Sequence, residues 1–290
     1  MSQYTRVNSP YLGGRFSNPG MIALIKTFCA IMGFKVSQMT CFQGSFNTTV
    51  EASAGTHDKA DCLDISALNY ARKIQVLRSI GAFAFHRTKA QGFGEHIHLG
   101  RMFSTAMAWL ATAQDKAYRD HKSNGLGDLS RKDTEWAPRY RSILHRKGPT
   151  TSTFFAVRAT PGYSQAGGTP IGDKDLVKVT RARKSVLGNI AGTVRCNGKD
   201  YFVTNSLTFF LVSDFIKAFG GFVWKSQDYS VVSGPAYGRT GPGAAAPKRA
   251  GCVRARGYLI RSIGYADRDG LRFVVTSHGT YYAESSLRKI

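Results

Sequence analysis

Acid is what this chain is short of: 18 Asp and Glu face 40 Lys and Arg, for a formal net charge of +22. The deficit is spread, since residues 1–148 hold 20 basic and 10 acidic side chains and residues 149–290 hold 20 and 8, so no single basic tail accounts for it. Both halves should favour a polyanion, whether nucleic acid, an anionic wall polymer or a membrane surface. No helix-turn-helix signature, zinc-finger spacing or Arg-rich helix with heptads accompanies the charge, which makes nucleic acid the less favoured partner.

Cysteine is sparse as well. Cys29, Cys41, Cys62, Cys196 and Cys252 form an odd set at wide spacings with no C-x-x-C pair. That excludes a disulfide framework and a structural zinc knuckle, and a reducing compartment is the simplest home. Neither Cys41 nor Cys62 lies in a Cys/His protease context, so a thiol nucleophile is the weaker catalytic reading. No run of about eighteen apolar residues occurs, which excludes a membrane-spanning helix. The start Met1-Ser2-Gln3-Tyr4-Thr5-Arg6 is not a basic stretch followed by an apolar one, and the expectation is a soluble chain with no export signal of its own.

What is present suffices for two modest domains: 290 residues, 42% apolar and 12% aromatic. Ser17-Asn18-Pro19-Gly20 precedes Met21, Ile22, Leu24, Ile25, Phe28, Cys29, Ile31 and Met32 at helical spacing, and Gly33 closes the helix. Lys35 to Met39 alternates as a strand does, a polar loop runs from Gln43 to Gly55, and Cys62 to Ile65 is strand-like. Ser66 can cap a helix carrying Leu68, Ile74, Leu77 and Ile80, ended by Gly81 before the apolar run Ala82 to Phe85. The loop Thr88 to Gly94 leads into His96-Ile97-His98-Leu99, and a helix is predicted from Met102 to Tyr118. Helices and strands mix without a βαβ repeat, so residues 1–148 read as one α+β domain.

Its polar chemistry sits in two loops. Ser53 to Asp64 supplies His57, Asp58, Asp61 and Asp64, and Gly92 to His98 supplies Glu95, His96 and His98. Three imidazole and carboxylate ligands would leave the fourth position of a tetrahedral zinc ion to water. On a strand His96 and His98 share a face and Ile97 points the other way, while Glu95 faces away unless the strand begins after it. Either Glu95 or His96 can then take the water proton and pass it to the leaving amine. Asp58 and Asp61 also fit as solvated loop charges.

The first loop resembles the H-x-x-G-x-A-x-D signature of the D-alanyl-D-alanine carboxypeptidase and hedgehog-type zinc peptidases, whose second signature is E-x-x-H or H-x-H on a later strand. His57 and Asp64 fit the first pattern, and Glu95 with His98 fits the second. The strings Gln43 to Asn47, Ser53 to Asp58, Phe85 to Thr88 and Gln91 to Phe93 are similar to the peptidase domains of actinobacterial and phage wall lysins. The resemblance covers about residues 40–100. It implies a zinc site of His57, Asp64 and His98, with Glu95 or His96 as catalytic base and peptidoglycan stem peptides or cross-links as substrate. Ala60 and Cys62 stand where the pattern has glycine and alanine, and Ala60 would be strained if its position needed a positive φ. Arg15 is the candidate for the carboxylate-binding arginine of such enzymes.

After a linker placed at residues 149–175, rich in Gly, Ser, Thr and Pro, the texture turns to short β runs. Tyr201 to Lys217 aligns with Phe273 to Lys289, 72 positions on, and Arg181-Ala182-Arg183 matches Arg254-Ala255-Arg256. Residues 176–290 therefore read as a mainly-β domain of two related units, about 176–220 and 250–290, joined by the stretch Ser233 to Ala250. They resemble the Src-homology-3-like (SH3-like) wall-binding repeats of lysins, which implies tethering to an anionic cell-wall polymer. The fold class expected is thus α+β followed by mainly β, and the function a phage-type endolysin, made in the host cytoplasm and released to the wall at lysis. The alternative is a non-catalytic, basic polyanion-binding protein, nucleic acid included, with structural histidines.

Overall fold

A computed structural model describes residues 5–122, 142–167, 179–217 and 222–290. The chain is mostly β, with several sheets and three α-helices among the described residues. It divides into two compact units. The first comprises Met1–Thr151, Pro161–Thr180 and Asn189–Val212, and the second Ser152–Thr160, Arg181–Gly188 and Ser213–Ile290.

After a short antiparallel pair, Val7–Asn8 with Phe16–Ser17, the first unit continues with helix α1 (Pro19–Met32), where Asn18 Oδ1 accepts from Met21 N at 2.9 Å and Gly33 closes the helix at φ 69°. Strands β1 (Cys41–Gln43) and β2 (Cys62–Ser66), helix α2 (Tyr70–Ser79), strands β3 (Ala82–Arg87) and β4 (His96–Arg101) and helix α3 (Trp109–Arg119) follow. The four strands form an antiparallel sheet in the order β1-β2-β4-β3. Leu24, Ile25 and Phe28 of α1 join Leu63, Ile65, Phe83, Ile97 and Leu99 in its core.

Three local expectations give way. Val36–Gln38 is a 3-10 turn rather than a strand, because the Gln38 side chain accepts from Lys35 N and folds the segment back on itself. Helix α2 starts at Tyr70, so Leu68 lies outside it and is exposed. Helix α3 starts at Trp109 instead of Met102: Phe103 takes φ 59°, and Ser104 turns in to donate to the buried carboxylate of Asp61, which also holds Arg101 at 2.8 Å.

Besides a short pair at Thr160–Pro161 and Thr180–Arg181, the later strands are β5 (Leu144–Lys147), β6 (Phe154–Ala156), β7 (Val186–Leu187), β8 (Ile190–Cys196), β9 (Lys199–Thr204), β10 (Phe209–Leu211) and β11 (Phe215–Lys217). After them come β12 (Phe222–Val231), β13 (Ala236–Arg239), β14 (Lys248–Arg254), β15 (Leu259–Arg268), β16 (Leu271–Thr276), β17 (Tyr281–Ala283) and β18 (Leu287–Lys289). A sheet β10-β9-β8-β5 belongs to the first unit, so the compact units do not follow a boundary near residue 148. The reason is packing. Gly192 of β8 lies so close to α1 that a Cβ there would stand 2.6 Å from Thr27 Oγ1, and Val194, Tyr201, Val203 and Phe209 share the core with Phe28. In the second unit β7-β6-β11 form one sheet and β14-β13-β17-β16-β15-β12-β18 another.

The 72-residue internal repeat is carried into three dimensions. Hairpin β8-β9 turns at Asn197-Gly198 and hairpin β15-β16 at Asp269-Gly270, all four at positive φ as a tight two-residue turn requires. Each hairpin has a register irregularity at the equivalent glycine, Gly192 or Gly264. Thr204 N donates to Thr208 O and Thr276 N to Thr280 O, both at 3.0 Å, and 3-10 turns follow at Val212–Asp214 and Glu284–Ser286. The hairpins also carry inverted ion pairs: Arg195 faces Asp200 in the first, and Asp267 faces Arg272 in the second.

Each copy begins earlier than its repeat alone indicates. Ala156 N donates to Ser185 O at 3.0 Å, as Val231 N does to Tyr258 O at 3.1 Å, which makes β6 and the end of β12 equivalent first strands. Part of the stretch Ser233 to Ala250 is itself strand, in β13 and the start of β14. Of the expected linker at 149–175, residues 168–175 lie outside the described residues.

Candidate metal centre

The pairing of β2 with β4 sets Asp64 directly opposite His98, and Ser66 opposite His96. Side chains two apart on a strand share a face, so Asp64, His96 and His98 project together. His57 arrives from the loop between β1 and β2, whose path is held by Asn47 N donating to His57 O at 3.0 Å and Phe46 N to Lys59 O at 2.9 Å. Ala60 needs no positive φ; its neighbour Asp61 takes the left-handed conformation at φ 65°.

The four side chains converge on one atom. Asp64 Oδ1 lies 2.8 Å from His98 Nδ1, 3.2 Å from His57 Nε2 and 3.6 Å from His96 Nε2, and His57 Nε2 lies 3.4 Å from His98 Nδ1. Each ring is fixed from behind by a carbonyl oxygen. His57 Nδ1 donates to Gly44 O at 3.1 Å, His96 Nδ1 to Gly94 O at 2.6 Å, and His98 Nε2 to the Gln114 side-chain oxygen at 2.8 Å. These bonds turn His57 Nε2, His96 Nε2 and His98 Nδ1 toward one carboxylate oxygen, an arrangement that either a proton on the facing nitrogen or a metal ion between them satisfies.

Burial and charge bear on the choice. Burial alone would push the Asp64 carboxyl up, but hydrogen bonds and charge from His57 and His98 outweigh it and hold Asp64 well below the usual carboxylate range. Burial pushes His98 down, against the pull of Asp64, which favours the neutral ring that a metal binds. Cys62 Sγ stands 3.5 Å from His98 Nε2, and its thiol is raised by burial and then by Asp64. Burial likewise pushes the Cys41 thiol up to about 12, so neither cysteine is a thiolate nucleophile at neutral pH. The buried cluster of His57, Cys62, Asp64 and His98 could hold a metal ion, and Asp64, His96 and His98 are also close enough to share one.

The cluster floors a cleft of about 540 Å³. One wall is the face of α3 that carries Leu110, Ala113, Gln114 and Ala117, at helical spacing; Phe93 and Val50 border the others. Glu95 is not part of the lining: it precedes β4, its carboxylate is largely exposed, and its Oε1 accepts from His86 Nε2 at 3.0 Å. Asp58 is exposed, and Asp61 is a buried structural anchor for Arg101 and Ser104. Arg15 is exposed and outside the cleft, whereas Arg87, opposite His96 in register and 2% exposed, lines it.

Sequence reasoning missed Arg87, Gln43 and Gln114. Strand alternation from Phe85 could have flagged Arg87, but nothing local ties Gln114, sixteen residues beyond His98, to that ring. No protein-family model matches the chain, and a search of curated proteins finds no relative.

Proposed function

We propose that this chain is a zinc-dependent peptidase of the bacterial wall, an endolysin-type enzyme that hydrolyses peptide bonds of peptidoglycan and is held on the wall by its duplicated, SH3-like β copies. The observation that carries this reading is the convergence of His57 Nε2, Asp64 Oδ1 and His98 Nδ1 at the floor of an open cleft. Donors about 2.0–2.1 Å from a tetrahedral zinc ion stand roughly 3.3 Å apart. The observed separations of 3.2 and 3.4 Å match that figure, the third is shorter at 2.8 Å, and two imidazoles with one carboxylate suit zinc. Zinc at this position supplies Lewis acidity toward a scissile carbonyl and makes water a better nucleophile at neutral pH.

The chain's own residues do the rest. His96, with Nδ1 tied to Gly94 O, keeps Nε2 free to take the proton of the attacking water and return it to the leaving amine. Arg87 offers a cation beside the cluster for a substrate carboxylate or carbonyl oxygen. The small side chains Ala52, Ala54, Ala113 and Ala117 leave room for an extended peptide. The spacing of His57, Asp64, Glu95 and His98 supports the zinc-peptidase resemblance, and the positive charge of both halves suits an anionic wall.

The test is metal content together with digestion of purified peptidoglycan. The expectation is about one zinc per chain and newly freed amino termini in the digest, both lost in His57→Ala and His98→Ala. A folded chain that carries no metal and frees no amino termini, yet binds DNA tightly, would replace this reading with the polyanion-binding one.

A further inference from the structure

The second β copy carries a groove of about 670 Å³ along β14, the start of β15 and the turn between β16 and β17. Arg249, Arg254, Arg261, Tyr258 and His278 line it, and no Asp or Glu does. Two of the arginines are held in place. Arg249 Nη1 donates to His278 O at 2.6 Å and to Thr280 Oγ1 at 3.1 Å; Arg254 Nη1 donates to Gly251 O at 3.1 Å, and its guanidinium lies 4.7 Å over the Tyr258 ring. Only Nη1 is engaged in each, so Nε and Nη2 keep N–H donors with no protein acceptor among the described residues. Arg261 is exposed, opposite Asp228 in register but without an ion pair among the described residues.

Residues 222–290 hold eleven Lys and Arg against four acids, and three of those acids are occupied elsewhere. Asp267 pairs with Arg272, Asp269 with Arg268, and Glu284 accepts from Tyr229. The fourth, Asp228, faces Arg261 in register without an ion pair among the described residues, so the groove keeps an excess of positive charge. Fixed guanidinium forks in an acid-free groove are the chemistry that recognises phosphate oxygens.

We propose that this groove binds a linear phosphodiester polymer through its backbone, without reading bases. Three arginines along one channel suit a ligand that carries several phosphates in one chain. Base stacking has little to use: of the groove's two tyrosines, Tyr282 is buried and Tyr258 has one face covered by Arg254. The first copy has Ser185 in place of Tyr258 and Ser206 in place of His278, so the duplicated framework carries the groove chemistry in its second copy. This deepens the wall-binding half of the proposed function, and rests on that reading only for where the polymer is met.

The test uses the full chain, with a synthetic glycerol-phosphate oligomer and a single-stranded oligonucleotide of equal phosphate number as probes. Arg254→Gln and Arg261→Gln should each weaken the oligomer by roughly fivefold and lower its log–log salt slope by about one. Arg288→Gln, which removes the same charge outside the groove, should leave binding within about twofold. Unfolding midpoints show that the variants fold; Arg261 has no side-chain hydrogen bond or ion pair among the described residues to lose. Unchanged affinity in both groove variants, an equal loss in Arg288→Gln, or tighter binding of the oligonucleotide overturns the proposal. Hydrolysis of a soluble wall peptide on the same samples keeps the readings apart. A chain that hydrolyses but ignores the oligomer overturns the groove alone, and one that binds without hydrolysing supports the groove and overturns the peptidase.

Discussion

Glu95 and His96 are neighbours in the chain and end in different surroundings, one on His86 at the surface and the other 3.6 Å from Asp64. The reason is the first residue of β4: from His96 onward strand alternation governs direction, and Glu95 lies before it. Glu95→Gln should therefore leave kcat/KM within about threefold, while His96→Gln lowers it about 100-fold or more with metal content retained. The reverse pattern in steady-state kinetics would make Glu95 the base. Spacing and resemblance carried His57, Asp64, His96 and His98 to the cluster. The groups that orient them, the Gly44 and Gly94 carbonyls and Gln114, were not legible, because a backbone oxygen leaves no mark in sequence and Gln114 comes from a separate element.

Among elements, the strand-helix order around the cluster was readable from apolar periodicity and from Asn18, Gly33 and Gly81. The errors fall where a side chain overrides propensity: Gln38 bends a would-be strand, and Ser104 leaves an apolar, helix-like segment to reach buried Asp61. Strand β5 adds a testable case. His145 is buried, with Nε2 3.1 Å from Thr27 Oγ1, and burial, followed by nearby Arg101, pushes its pKa down to about 3. The unfolded chain takes up this proton near pH ~6.5. Stability from neutral His145 is thus intact above that value and declines as pH falls toward about 3. His145→Gln should flatten the drop in unfolding midpoint between about pH 6.5 and 4; an unaltered slope in thermal melts would show that His145 is already charged in the fold.

At the scale of the whole molecule, charge sets a further expectation. Salt that screens the basic surface should slow lysis of intact walls more than cleavage of a small soluble peptide by the same sample. Coincident salt curves for the two substrates would remove the tethering role of the β copies. The duplication was legible because Tyr201 to Lys217 recurs 72 positions on as Phe273 to Lys289, with Phe209-Phe210 answered by Tyr281-Tyr282. Its first strands were not, being short and without a shared motif, and the packing of Gly192 on Thr27 that joins β8 to the first unit depends on tertiary contact alone. Two like-patterned hairpins in one chain invite strand exchange while the protein folds. The inverted ion pairs oppose it: β8 laid against β16 would set Arg195 opposite Arg272, and β15 against β9 would set Asp267 opposite Asp200, so each hairpin rejects the other's strand and closes on its own.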